Sequence, residues 1–331
     1  MKSDVLVRVQ ALRKWFDLSS GIVETILSRK HRYVKAVDGV TFDIKKGEIC
    51  GLVGESGCGK TTIGRLIMGS IPPSNGKIYF DGEDVTNIKD KEHFKQLTLK
   101  RQMIFQDPYE YLSPWLTVRN ALAEPLRIHN LVNSKKEEFE KVVEIMETVD
   151  LTPVEMLMPK YAFELSGGQR QRVVIGRVLL LNPTFIVADE PVSMLDVSIR
   201  VGVLNLLLEM RKKFSLSSLF ITHDIAIARY MCDRLNVMYL GKLVEKGPTE
   251  TIMHEPLHPY SQALMTAVPV PDPKTSRREI PIKGRIPTSD YDFQGCRFAP
   301  RCPYAKDECR KKEPELVEVG KNHYVACHLM I

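Results

Sequence analysis

Alternating apolar and polar residues mark the first part of the chain as strand-forming. Residues 5–13 and 40–44 alternate with a period of two, which predicts strands that bury one face. Residues 17–32 between them have mixed charge and no period, so we expect an inserted loop or a short helix there. Residues 77–82 predict another strand, which ends in an Asp-Gly turn. The N-terminal part is therefore expected to be rich in β-structure.

Strand and helix patterns alternate further along the chain. Ser134 is a typical N-cap for a helix whose apolar positions recur at helical spacing. Two continuous apolar runs, 185–188 and 218–222, are typical of strands that are buried on both faces. The other predicted elements are helices over 197–213 and 225–232 and a hairpin over 235–246. This alternation predicts an α/β fold around a parallel sheet.

Composition narrows the classes of function. The 331-residue chain is long enough for one larger domain with an appended piece. Its net charge of +6 is mild and comes without a block of like charges, so charge alone does not imply nucleic-acid binding. No apolar run approaches the roughly 20 residues that span a bilayer, and residues 1–4 lack a signal-peptide pattern. We therefore expect a cytosolic chain that meets a membrane only through a partner.

The strongest local motif lies between a predicted strand over 49–53 and a predicted helix through residue 68. It has the form G-x-x-x-x-G-K-[ST], and its residues are Gly54, Glu55, Ser56, Gly57, Cys58, Gly59, Lys60 and Thr61, with Thr62 next in the helix. Such a loop aims backbone N–H groups at phosphate oxygens, while its lysine neutralises the β and γ phosphates and its hydroxyl meets Mg²⁺. Binding of a nucleoside triphosphate is therefore predicted, against the alternative of a glycine-rich turn without a ligand.

Two further motifs carry chemistry that suits a phosphate loop. The apolar run 185–188 ends in two carboxylates, of which Asp189 can reach the Mg²⁺ shell and Glu190 can polarise an attacking water. A second helix start that can face an anion consists of Ser166, Gly167, Gly168 and Gln169. The alternatives are an exposed acidic turn after a core strand and an ordinary helix cap.

The order of these motifs resembles that of ATP-binding cassette (ABC) ATPases from about residue 5 to about residue 250. The matching segments are the signature (165–169), the Q-loop (105–108), the D-loop (191–196) and the switch-histidine segment (222–224). The resemblance implies a P-loop NTPase cassette with a RecA-like core, an antiparallel β subdomain and a helical subdomain at roughly 107–182.

The same resemblance implies roles for single residues. Glu190 is expected to be the catalytic base, His223 to hold the γ-phosphate and the water, and Gln106 to sense Mg²⁺ and the transporter interface. The expected Mg²⁺ ligands are Thr61, Gln106 and Asp189. Tyr33 is expected to stack on adenine, with His31 as a competitor. Two cassettes are expected to pair head to tail, with ATP between the phosphate loop of one and the signature of the other.

The composition changes near the end of the chain, where several prolines precede a group of cysteines. We expect a nucleotide-binding domain (1–255), a helix and Pro-rich linker (256–290) and a cysteine-bearing module (291–331). Residues 258–264 and 295–303 are similar to the C-terminal extension of oligopeptide/dipeptide importer ATPases.

Four of the seven cysteines lie in this last module: Cys296, Cys302, Cys309 and Cys327. In a cytosolic chain such a group favours a metal over a disulfide framework, and four thiolates suit either a tetrahedral Zn²⁺ or a [4Fe–4S] cluster. The resemblance favours the cluster, and reduced thiols are a third possibility. The metal or cluster is expected to hold the small extension in a fixed shape, as a structural staple. His323 and His328 beside Cys327 are expected to be bystanders.

The resemblance implies an ATP-hydrolysing subunit that energises import of oligopeptides or dipeptides, with oligosaccharides as an alternative cargo. The implied partners are a second ABC ATPase, a different chain rather than a second copy, two transmembrane permease subunits and, indirectly, an extracellular substrate-binding protein. No nucleic acid is expected. The resemblance also implies that the chain is a peripheral subunit at the cytoplasmic face of the inner membrane. The rival hypothesis is an ABC ATPase that acts on nucleic acid or ribosomes. A further hypothesis, compatible with import, is that the tail senses redox state and regulates the ATPase.

Overall fold

The computed structural model describes residues 4–18, 33–107, 111–266 and 293–330, together with positions 282, 284 and 287. The chain forms two compact units, of which the first comprises residues 1–87 and 219–331 and the second comprises residues 88–218. The irregular stretch expected at 17–32 lies almost wholly outside the described residues, as does most of the Pro-rich linker.

The first unit begins with two long strands and the strand–helix pair that frames the phosphate loop. Its elements up to residue 87 are β1 (Val5–Asp17), β2 (Tyr33–Lys45), β3 (Ile49–Val53), α1 (Lys60–Ile67), β4 (Asn75–Phe80) and β5 (Glu83–Asp84). An antiparallel sheet has the order β2-β1-β4-β5. Val7 and Val9 on β1 are fully buried while Arg8 between them is exposed, because successive side chains of a strand point to opposite faces. The predicted antiparallel β-structure is thus confirmed.

The described residues of the second unit are mainly helical and include one pair of strands. Its elements are α2 (Lys91–Lys100), β6 (Arg101–Ile104), α3 (Val118–Ile128), α4 (Lys135–Thr148), α5 (Val154–Leu157), a 3-10 turn (Ala162–Glu164), α6 (Gly167–Leu179), β7 (Phe185–Asp189) and α7 (Val197–Phe214). The strands β6 and β7 pair in parallel. β7 is buried along its whole length, as its continuous apolar pattern predicts.

Close helix packing holds the second unit together. Gly176 on α6 faces α3, where a Cβ would lie 3.1 Å from Leu122 Cδ2, so glycine lets the two helices approach closely. Arg127 of α3 donates two hydrogen bonds of 2.6 Å to Glu138 of α4, the paired geometry that a guanidinium and a carboxylate favour. The predicted cap of α4 is confirmed, since Ser134 Oγ accepts the backbone N–H of Glu137 at 3.1 Å.

The chain returns to the first unit along β8. The elements in this last part are β8 (Ser217–Thr222), α8 (Ile225–Met231), β9 (Arg234–Tyr239), β10 (Lys242–Pro248), α9 (Thr249–His254), α10 (Pro259–Thr266), α11 (Asp307–Lys311), β11 (Val317–Gly320) and β12 (His323–Val325). As predicted, β9 and β10 form a hairpin that turns at Leu240 and Gly241, both with positive φ.

The tail extends the central sheet of the first unit. Within this unit the strand order is β11-β12-β10-β9-β3-β8. β9 runs parallel to β3, whereas β12 pairs antiparallel with β10 through Tyr324 and Val325. Residues 317–325 therefore continue the sheet from which the phosphate loop emerges. None of the helices in the described part of the chain is both long and apolar enough to cross a bilayer.

Candidate nucleotide-binding site

The phosphate loop occupies the turn between the buried strand β3 and the helix α1. Gly59 is the N-cap of α1 and has a φ of 107°, a conformation that side-chain-bearing residues rarely adopt. A Cβ on Gly59 would lie 2.1 Å from the carbonyl oxygen of Ala36, and one on Gly54 would lie 2.2 Å from that of Met238. The loop thus needs glycine at both ends, because it packs directly against the backbone of β9 and β2.

Lys60 places its charge inside the curl of this loop. Its side chain is buried, and Nζ donates hydrogen bonds to the carbonyl oxygens of Gly54 at 2.8 Å and Glu55 at 3.0 Å. The N-terminal end of α1 and an ammonium group beside it together form a site for phosphate oxygens. Among the other loop residues, Ser56 and Gly57 are exposed, and Thr61 and Thr62 are half-buried.

Cys58 is the one thiol of the phosphate loop, and it points into the protein. Its Sγ lies 3.9 Å from Lys60 Nζ. Burial raises the pKa of the Cys58 thiol and outweighs the opposing effect of the nearby Lys60 charge. The thiol is therefore neutral at neutral pH and does not compete with a phosphate for the lysine.

In the second unit, the structure brings two of the predicted catalytic residues together. Gln106 follows β6, Glu190 follows β7, and these strands pair in parallel, so their carboxyl ends lie side by side. Gln106 Nε2 donates to Glu190 Oε2 at 3.2 Å. Asp189 is buried at the end of β7. Glu190 has a φ of 47°, a costly conformation for a residue with a side chain and one that recurs at active sites.

The signature residues begin helix α6 as expected. Ser166 Oγ accepts the backbone N–H of Gln169 at 3.3 Å, and Gln169 Oε1 accepts the backbone N–H of Ser166 at 3.1 Å, so the two residues form a capping box. Gly168 lies against α7, where a Cβ would meet Ile199 Cγ2 at 2.4 Å. Ser166 and half-buried Gly167 stay at the surface, where the helix N-terminus is accessible to an anion.

His223 belongs to the first unit, like Lys60, and lies directly after β8. Its side chain is exposed, and the following Asp224 caps α8 by accepting the backbone N–H of Ala226 at 2.9 Å. The strand β8 neighbours β3, which leads into the phosphate loop. His223 is therefore on a rigid strand end rather than on a long loop.

The structure adds an aromatic residue that the sequence analysis missed. Trp15 near the end of β1 lies 6.2 Å from Tyr33 between ring centroids, and its indole N–H donates to Asp38 at 3.2 Å. Tyr33 is exposed at the start of β2 and Trp15 is half-buried. Trp15 is a second candidate for stacking on adenine. The sequence offers one indication of it, since Trp15 lies at the end of an alternating strand pattern. His31 lies outside the described residues.

The last group of predicted site residues is the four cysteines of the tail. Cys309 and Cys327 are buried, and Cys296 and Cys302 are half-buried. Burial, followed by the neighbouring thiols Cys327 and Cys309, raises the pKa of Cys296 to about 12. Nevertheless, within the described ranges no three His, Cys, Asp or Glu side chains are arranged to hold a metal ion. The expected metal- or cluster-stapled extension is thus not shown in the described residues. Strand pairing with β10 and side-chain contacts hold the tail.

These elements define the class of protein. A phosphate loop between strand and helix, a buried strand that ends in Asp189 and Glu190, and a helix capped by the signature residues together characterise an ATP-binding cassette. The family model described as "ABC transporter" matches residues 37–193, and the model "Oligopeptide/dipeptide transporter, C-terminal region" matches residues 244–309. The chain therefore belongs to the ABC transporter ATPases that carry the oligopeptide/dipeptide-transporter C-terminal region.

Two proteins of Bacillus subtilis (strain 168) are similar over nearly their full lengths. The putative oligopeptide transport ATP-binding protein YkfD is 45% identical over 326 residues, covering 98% of this chain and 95% of its own length. The oligopeptide transport ATP-binding protein AppF is 44% identical over 328 residues, covering 98% of each chain. Similarity thus extends through the cysteine-bearing tail.

Solved structures match the cassette. CbiO1 from Clostridium perfringens, part of the ABC transporter complex cbiONQ, superposes with a TM-score of 0.64 at 27% identity, covering 76% of this chain and 92% of its own. The ATP-binding cassette MJ0796, in a dimeric post-hydrolysis state with ADP and Pi, has a TM-score of 0.62 at 26% identity, covering 74% and 99% respectively. The predicted ABC cassette fold is confirmed, and the chain is an ABC-type ATPase that binds ATP.

Proposed function

We propose that this ATPase energises the import of oligopeptides or dipeptides across the cytoplasmic membrane. The observation that carries the cargo class is the match of residues 244–309 to the oligopeptide/dipeptide transporter C-terminal region. The names of relatives that are 44% and 45% identical over almost the whole chain agree with it. The energy source is ATP, bound by the loop around Lys60.

In the proposed reaction, Glu190 is the general base that polarises the attacking water. The amide of Gln106 orients the Glu190 carboxylate, a role supported by the 3.2 Å hydrogen bond between them. His223 holds the γ-phosphate and the water in line. Tyr33, or Trp15 beside it, stacks on adenine.

We propose Mg²⁺ as the metal that accompanies ATP, because the predicted ligands are all oxygen donors. It prefers oxygen ligands and retains several waters. The proposed ligands are the Thr61 hydroxyl at the start of α1, the buried Asp189 carboxylate and the Gln106 amide oxygen. When bound, the ion neutralises charge on the β and γ phosphates.

The proposed assembly is a head-to-tail pair of cassettes. In it, the helix start at Ser166 to Gln169 faces ATP on the phosphate loop of the partner, which is supported by the exposed N-terminus of α6. We favour a different ATPase chain over a second copy as partner. The pair docks on two permease subunits as a peripheral complex at the cytoplasmic face of the inner membrane, and an extracellular binding protein delivers the cargo.

For the tail, we propose that Cys296, Cys302, Cys309 and Cys327 ligate a [4Fe–4S] cluster rather than Zn²⁺. Support comes from the soft-metal chemistry of thiols and from their proximity, since, beyond the effect of burial, Cys327 and Cys309 both influence the pKa of Cys296, and Cys302 and Cys309 that of Cys327. Anaerobic purification followed by iron, zinc and acid-labile sulfide analysis tests this. Iron and sulfide in equal amounts are expected, whereas zinc without sulfide, or neither metal, would contradict the cluster.

Glu190→Gln tests the proposed chemistry. The amide can still hydrogen-bond but cannot take a proton, so we expect ATP binding to persist while turnover in the assembled transporter falls about 100-fold or more. Glu209→Gln, on an exposed position of α7, is the matched control and should hydrolyse ATP at the wild-type rate. Normal turnover in Glu190→Gln would remove Glu190 from the role of base.

A further inference from the structure

Outside the motifs that define the cassette, an arginine from the tail contacts the phosphate loop. Arg301 donates two hydrogen bonds to the carboxylate of Glu55, from Nη1 to Oε2 at 2.8 Å and from Nη2 to Oε1 at 3.1 Å. The Arg301 side chain is 9% exposed and that of Glu55 is 25% exposed. A paired contact of this kind, largely removed from water, fixes the position of both groups.

An aromatic cluster keeps the Arg301 guanidinium in place. The guanidinium lies 5.8 Å from the ring centroid of Tyr239 and 6.0 Å from that of Phe298, and Nη1 donates to Tyr239 Oη at 3.4 Å. Phe298 and Tyr239 meet edge to face at 5.3 Å. Because Tyr239 is the last residue of β9, the arginine is fixed against the central sheet.

The backbone of Glu55 is held as well. Its N–H donates to Tyr260 Oη at 2.8 Å, and Tyr260 is fully buried beside Tyr239 and Phe298. Both the main chain and the side chain of Glu55 therefore have partners from beyond β10. These contacts set the direction of the first turn of the loop, where the carbonyl of Glu55 also accepts Lys60 Nζ.

A second tail arginine secures the other end of the loop. Arg297 donates to the Asp38 carboxylate and to the carbonyl oxygen of Leu240. The next residue, Gly241, donates its N–H to the carbonyl of Cys58 at 2.9 Å. Arg297 thus supports the hairpin turn that contacts the phosphate loop.

Both arginines lie in one compact turn between Cys296 and Cys302. Within it, the N–H of Cys302 donates to the carbonyl of Phe298 at 3.0 Å, and the N–H of Ala299 to that of Cys296 at 3.0 Å. The N–H of Cys296 donates to the carbonyl of Cys309 at 2.8 Å. The position of Arg301 therefore depends on the folded state of the cysteine module.

We propose that Arg301 is a positioning residue for ATP binding, which makes the cysteine module a working part of the nucleotide site. By holding Glu55, Arg301 keeps the loop backbone and Lys60 arranged for the phosphates. The proposal rests on the ATPase function and adds a residue that acts through Glu55 rather than by touching ATP. Loss of the contact weakens ATP binding, since small displacements of a positioned group have large effects.

Arg301→Met in the full-length chain tests this, because methionine keeps part of the apolar stem and removes the guanidinium. We expect a rise of about 10- to 100-fold in the ATP dissociation constant and in the KM for ATP of the assembled transporter. The kcat at saturating ATP should be largely retained, as for loss of a binding contact. Arg310→Met, at an exposed position of α11 in the same module, should bind ATP as the wild type does.

A double-mutant cycle separates positioning from general damage to the tail. Glu55→Gln leaves the tail intact and should raise the KM alone, and Glu55→Gln with Arg301→Met should be no worse than the poorer single variant. Unchanged ATP affinity in Arg301→Met, or independent effects that multiply in the double variant, would overturn the proposal. If Arg301→Met does not fold, a wild-type KM in Glu55→Gln would overturn it. An inactive wild-type transporter would instead count against the proposed function.

Discussion

Buried polar side chains hold the tail to the first unit at the scale of single residues. Glu245 on β10 is fully buried, and its carboxylate accepts hydrogen bonds from the backbone N–H groups of Leu257 and His258 at 2.9 Å. His323 Nε2 lies 2.7 Å from the same carboxylate. Each contact satisfies a group that would be costly to bury alone. His323, which the sequence analysis expects to be a bystander beside Cys327, thus serves as a partner of Glu245.

The buried His258 makes the free energy of unfolding depend on pH. Burial lowers the pKa of His258 from its ordinary value of 6.5 to about 3, and Nδ1 accepts the backbone N–H of Tyr260 at 3.0 Å. The unfolded chain therefore binds a proton between these values while the folded chain does not, so stability falls as the pH falls below about 6.5. Wild type should lose about 1 to 2 kcal/mol between pH 7 and pH 5 through this group.

His258→Asn isolates that contribution, because asparagine offers an acceptor that does not titrate. Urea unfolding at pH 7 and pH 5 should show a smaller loss of unfolding free energy for the variant than for the wild type. The same pH dependence in both proteins would show that His258 is not the group responsible.

Residues within a local motif were predictable, and long-range partners were not. Lys60, Glu190 and Ser166 were identified because each motif fixes them within a few neighbouring positions. The contact between Arg301 and Glu55 joins residues that are 246 positions apart, and no local pattern records it. Trp15 was missed for a similar reason, since only the folded sheet brings it beside Tyr33.

At the scale of elements, the conformation of the phosphate loop is fixed because the loop packs between strands β2 and β9. Its glycines pass close to the carbonyl groups of Ala36 on β2 and Met238 on β9. The rigid frame lets the loop present its N–H groups before ATP binds, which limits the ordering cost of binding.

Gly59→Ala tests the importance of that close approach, with Gly47→Ala as the matched control. Both glycines have positive φ, 107° and 71°, but a Cβ on Gly47 would meet nothing within 4 Å. Gly47→Ala should cost about 1 to 2 kcal/mol of unfolding free energy from its backbone conformation and keep ATP binding. Gly59→Ala should lose more stability and bind ATP at least about tenfold more weakly. Equal stability and affinity in the two variants would contradict the argument.

The elements that could be predicted were those with a strong local pattern in the sequence. The cap at Ser134 and the strands β7 and β8 follow from sequence because their signals are local and cooperative. The tail strands β11 and β12 were not predicted. They are short and largely polar, and they form through pairing with β10 rather than through their own pattern.

At the scale of the whole molecule, the tail belongs with the nucleotide-binding elements. Residues 219–331 fold in one unit with residues 1–87, and strand pairing carries the tail to the edge of the sheet that holds β3. The sequence suggested an appendage, because a Pro-rich linker interrupts the apolar pattern before the cysteines. Strand pairing and the contacts of Arg297 and Arg301 link the tail to the loop instead.

The most direct test of the account is ATP-driven uptake of a labelled peptide. The chain would be reconstituted in proteoliposomes with its partner ATPase and two permease subunits, and supplied with the binding protein. We expect labelled oligopeptide or dipeptide to accumulate only with hydrolysable ATP, and no accumulation with Glu190→Gln. Uptake of a labelled oligosaccharide in place of the peptide would contradict the cargo, and ATP hydrolysis without uptake of either would contradict the role in import.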